Sequence, residues 1–74
     1  MSDTAKREEL AFYEVRVQGV LDESWSAWFG GLEVRPLDGG VTVLRGPIRD
    51  QSALHGLLIK IRDLGLPLLS VEKK

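Results

Sequence analysis

The sequence contains no cysteine, which excludes a disulfide framework, a thiolate metal site and a cysteine nucleophile. Its single histidine, His55, excludes a metal site made of several histidines from one chain. Charge of one sign is lacking too. Ten Lys+Arg stand against eleven Asp+Glu for a net charge of −1, so no overall field draws the chain toward nucleic acid or an anionic membrane. No apolar run approaches the roughly 20 residues that span a bilayer. The polar first nine residues lack the apolar stretch of a secretion signal. Together these absences point to a cytoplasmic protein without a cofactor.

What is present suits one small soluble domain: 74 residues, 43% hydrophobic and 28% charged. A domain near this size buries only about 60% of its unfolded surface. Stability must therefore come from a compact apolar core, from self-association, or from both. Residues 1–9 read as a disordered tail and residues 10–74 as a single domain.

Tyr13, Val15 and Val17 alternate with Phe12, Glu14, Arg16 and Gln18, the pattern of a half-buried strand. Gly19 marks a bulge or bend. Asp22 is placed to cap a short helix whose Trp25, Trp28 and Phe29 form one apolar stripe at i, i+3 and i+4. Gly30-Gly31 stops it. Leu32 and Val34 alternate with Glu33 and Arg35 in a second strand, which Pro36 assigns to an edge.

Asp38-Gly39-Gly40 is a turn, and a third strand runs from Val41 to Gly46, where Gly46-Pro47 breaks it. A two-residue loop would put Arg45 opposite Val34, on the core face. A three-residue loop pairs Leu44 with Val34 and Arg45 with Glu33, and gives Gly40 the left-handed position it suits. The three-residue loop is expected. Thr42 and Leu44 then face the core.

Asp50 caps a helix from about Gln51 to Leu64, with Leu54, Leu57, Leu58, Ile61 and Leu64 on one stripe and Gly65 at its end. A final strand turns Leu69 and Val71 inward. The order strand, helix, strand, strand, helix, strand implies an α+β, ferredoxin-like split β-α-β fold (βαββαβ). Its four-stranded antiparallel sheet has order 4-1-3-2, with two helices on one face. The expected inner face is Tyr13, Val15, Val17, Leu32, Val34, Leu44, Leu69 and Val71.

Tyr13 to Gly19, with Trp25, Trp28, Phe29 and Gly31, resembles a group of small uncharacterised bacterial proteins. So do Leu44-Arg45-Gly46-Pro47, the run from Asp50 to Leu58, and the run from Ile61 to Val71. The resemblance implies a free-standing bacterial cytosolic protein and brings no activity, substrate or catalytic residue.

Each candidate site has a plain structural alternative. His55 would serve an enzyme as general acid or base near Asp50 or Ser52, but no nucleophile or orienting partner accompanies it in sequence. The Gly46–Gln51 segment with Arg49 leads into a helix N-terminus suited to an anion, where the Asp50 cap would compete. The tryptophans would line a ligand pocket or simply form core.

The open sheet face collects Phe12, Arg16, Val41, Val43, Arg45 and Leu68 among paired charges. An RNA-recognition module shares this element order but carries stacking aromatics on its central strands, where this chain offers only Phe12 on the first strand and valines with Arg45 on the third. On the outer side of the second helix, Gly56 and Ile59 suggest close approach of another chain. The leading expectation is a small protein-interaction module, with an unknown protein or itself as partner, dimerising through the open sheet. The alternative is a small-ligand sensor, with a His55 enzyme or a nucleic-acid binder ranking below it.

Overall fold

A computed structural model of the chain describes residues 11–74; the tail expected over residues 1–9 lies outside them. Four strands, β1 (Ala11–Gln18), β2 (Glu33–Leu37), β3 (Val41–Ile48) and β4 (Leu68–Lys73), form one sheet in the order β2-β3-β1-β4. All three pairings are antiparallel. Read from the other edge, this is the expected order.

The expected pair of helices is not present. One α-helix, α1 (Gln51–Asp63), crosses from β3 to β4. In place of the other stands a four-residue 3₁₀ helix, Glu23–Ser26. Its bonds run to the third residue back, as in Trp25 N–H to Asp22 O at 3.1 Å and Trp28 N–H to Trp25 O at 3.0 Å. Asp22 caps it as expected, accepting the Ser24 amide at 3.0 Å. The reason for the short form is length. Between the cap and the Gly30-Gly31 pair, both at positive φ, there is room for fewer than two α turns, too little to offset helix nucleation.

The aromatic stripe splits accordingly. Phe29 enters the core, Trp25 packs at its margin, and Trp28 stands half exposed. Trp25 and Trp28 meet edge to face with centroids 6.4 Å apart.

The hairpin takes the expected register: Glu33 lies opposite Arg45 and Val34 opposite Leu44, leaving Asp38-Gly39-Gly40 as the loop. Gly40 has φ +76°. Gly46-Pro47 does not break β3, which continues to Ile48, with Pro47 opposite Phe12. β2 pairs no further along β3 than Arg45, so the proline interrupts no ladder on that side. Gly46 has φ +154°, a conformation that other residues rarely adopt, and a Cβ there would also lie 2.7 Å from Leu32 Cδ2.

The core lies on one side of the sheet. Tyr13, Val15, Val17, Val34 and Leu44 meet Phe29 and Leu32 from the stretch between the 3₁₀ helix and β2, and Leu57 and Ile61 from α1. Thr42 is fully buried beside them. Asp50 caps α1 through the Ala53 amide at 2.8 Å, and Gly65 takes φ +77° just past its end.

β4 departs from expectation. Leu69 and Val71, expected inside, are 49% and 38% exposed. The 3₁₀ helix packs on β2 and α1 on β3, so the inner side of β4 lacks the cover that a full second helix layer would have given. A register shift between Arg16 and Val17 also sets Leu68 opposite Val17, with Ser70 opposite Arg16. Two consecutive leucines thus share the place of one residue, a β-bulge.

Candidate functional site

On the open sheet face, β1 and β3 bring Phe12, Arg16, Val41, Val43 and Arg45 together as expected. The cross-strand register sets Arg16 opposite Val43 and Glu14 opposite Arg45, and Arg35 opposite Val43 on the other flank. The face is largely satisfied within the chain. Val43 is only 5% exposed, lying between two arginines whose apolar stems suit such a cover. Arg45 sits over the Phe12 ring, 5.5 Å from its centroid.

Glu14, with a side chain only 13% exposed, is surrounded by Arg16, Arg45 and Lys74 at 3.9, 3.7 and 3.8 Å. Lys74 also reaches Glu72 at 3.4 Å. It thereby relieves the like-charge opposition of Glu14 and Glu72 across β1 and β4. Gln18 clasps the hairpin loop through the Gly40 carbonyl at 3.1 Å.

The remaining candidates do not join this face. Leu68, expected there, is turned by the bulge and lines a groove with Leu58, Ile61 and Leu66 on the helix side. Ile59 stands exposed on α1. Gly56, expected beside Ile59 on the outer side, faces a different groove shared with Phe29, Leu32 and Leu57.

His55 is exposed on α1 and makes no side-chain hydrogen bond to another described residue. Asp50 is occupied as the helix cap. The side chains therefore assemble no nucleophile–base–orienter set among the described residues. Nor do any three His, Asp or Glu among them gather as a metal site. No helix among the described residues is long and apolar enough to cross a membrane.

A family model for a domain of unknown function (DUF8691) matches residues 12–72. The chain belongs to that family. Searches of curated proteins and of solved structures found no match. The DUF8691 match covers all of β2, β3 and α1 and all but one terminal residue of β1 and of β4, so the sheet with the one α-helix among the described residues is the structure of this family's domain in the present chain.

Sequence reasoning missed Leu69 and Val71 as surface residues. With Leu68 they form a run of half-exposed apolar side chains along β4, the strand at one edge of the sheet. Their alternation with Ser70 and Glu72 indicates one buried face, and only the count of covering helices reveals that nothing covers it. Lys60 was also missed. It donates to the Trp28 carbonyl at 2.9 Å and stands 5.5 Å over the Trp28 ring.

Proposed function

We propose that this domain is a non-catalytic protein-interaction module that binds a second copy of itself through the edge of β4. The observation that carries the reading is the exposure of Leu68, Leu69 and Val71, between 38% and 49%, on a strand with no neighbour on its outer side among the described residues. An unprotected edge presents free N–H and C=O groups for another strand. The opposite edge, β2, is blunted by Pro36 and by the charged Glu33 and Arg35.

The sequence of β4 suits pairing with its own copy. Antiparallel pairing about Ser70 sets Leu69 of each chain opposite Val71 of the other, extending the apolar face across the symmetry axis. The Ser70 hydroxyl is buried without a hydrogen-bond partner in the single chain, and the symmetric contact supplies one. The open sheet face is the weaker candidate for the contact, because its arginines and glutamates already pair and cover its apolar residues. The cysteine-free composition agrees with a cytoplasmic setting.

Because the chain contains no cysteine, a single introduced thiol reports on the contact directly. Ser70→Cys is expected to give a disulfide-linked dimer on mild oxidation, and Val71→Lys to shift sedimentation from dimer to monomer. Cross-linking through Val41→Cys instead would assign the contact to the open sheet. A parent chain sedimenting as a monomer at high micromolar concentration would overturn self-association altogether.

A further inference from the structure

The truncation of the expected first helix leaves space beside α1. An open groove of about 400 Å³ lies there, floored by Phe29, Leu32 and Leu57, within the roughly 300–1,000 Å³ typical of small-molecule sites. Its wall on α1 is formed by Ala53 and Gly56, and its charged lining residues are Arg49 and Lys60. No acidic side chain among the described residues lines it.

The two cations are placed differently. Lys60 is held by the Trp28 carbonyl at 2.9 Å and by the Trp28 ring; an ammonium has three N–H donors, so two remain for a ligand. Arg49 takes part in none of the ion pairs among the described residues. Its guanidinium is available for a planar anion, which it can bind through two parallel hydrogen bonds.

Gly56 supplies an independent observation. Glycine is among the poorest helix formers, yet this one lies well inside α1. A Cβ built on it would meet nothing within 4 Å, so packing within the chain does not demand glycine. The space it leaves is the groove.

We propose that the groove binds a small amphipathic monoanion, a carboxylate on an aromatic or branched apolar body. The body rests on Phe29, Leu32 and Leu57, against the bare wall of Gly56, and the carboxylate meets Arg49 and Lys60. Such a ligand matches both the apolar floor and the one-signed rim. The site shares no residue with β4, so it stands or falls separately from self-association.

The test is an amide chemical-shift titration of the full chain with 2-naphthoate and with the uncharged 2-naphthalenemethanol. Naphthoate is expected to shift the amides of Gly30, Ala53, Gly56 and Leu57 and to bind about tenfold more tightly than the alcohol. Arg49→Gln should remove most of that preference. Gly56→Leu should fill the groove and abolish binding of both probes. Where Gly56→Leu fails to give a folded spectrum, Ala53→Leu on the same wall replaces it. Equal affinity for the two probes, shifts centred elsewhere, no binding at millimolar naphthoate, or undiminished binding by the filled variant would each overturn the proposal.

Discussion

The hydroxyl of Thr42 donates to the carbonyl oxygen of Gly19 at 2.6 Å, pinning the residue that follows β1 to the start of β3. The Thr42 hydroxyl oxygen in turn accepts the Leu21 amide at 3.1 Å. One buried side chain therefore satisfies two backbone groups where the chain leaves the sheet. Gly19 at this corner has φ +145°, a conformation that other residues rarely adopt, and a Cβ on it would also push against Leu66 Cδ2 at 2.7 Å.

Thr42→Val keeps the shape and removes both bonds, leaving a buried donor and acceptor unpaired. We expect a loss of about 1–3 kcal/mol, read from urea denaturation, with Thr42→Ser losing less. An unchanged midpoint for Thr42→Val would contradict the role assigned to the hydroxyl.

The aromatic cluster should respond unevenly. Phe29→Ala empties a buried site and should destabilise by about 3–5 kcal/mol. Trp28→Ala removes a half-exposed ring and should cost clearly less, although both residues belong to one stripe in sequence. Thermal unfolding of the two variants side by side distinguishes this from a uniformly buried stripe.

Asp22 carries the pH dependence of the 3₁₀ segment. The hydrogen bond from the Ser24 hydroxyl, followed by that from the Ser24 amide, holds its carboxyl below the ordinary value of 3.8. A group lowered in this way contributes above its unfolded value and loses the contribution as pH falls through the folded one. A carboxyl-detected titration should place the Asp22 midpoint below 3.8, and Ser24→Ala should bring it back up. A midpoint unmoved by Ser24→Ala would dismiss the cap as its cause.

How far the sequence carried depended on whether the deciding contacts were local. The hairpin register was legible because Glu33, Arg45, Val34 and Leu44 choose one pairing by charge and burial together. α1 was legible because its leucine spacing, the Asp50 cap and Gly65 agree. The short helix misled because Trp25, Trp28 and Phe29 fit an α stripe, while the few residues before Gly30 do not allow one to propagate. In β4, Leu68 and Leu69 suit either face, and the bulge that settles them arises from pairing with distant Arg16 and Val17. That Gly56 lines a groove was not legible for a similar reason. Its surroundings depend on Phe29, Gly30 and Leu32 across the groove, which no periodicity in α1 records.

The position of β1 between β3 and β4 has a kinetic consequence. On the ribosome, the earliest strand must wait for both of its neighbours, and the later of them brings Lys73 to Tyr13 only when the described chain is almost complete. Closing so long a loop exacts its entropy before any ladder forms in return. Of the three pairings in the sheet, that of β4 with β1 therefore closes the longest loop and carries the largest closure entropy.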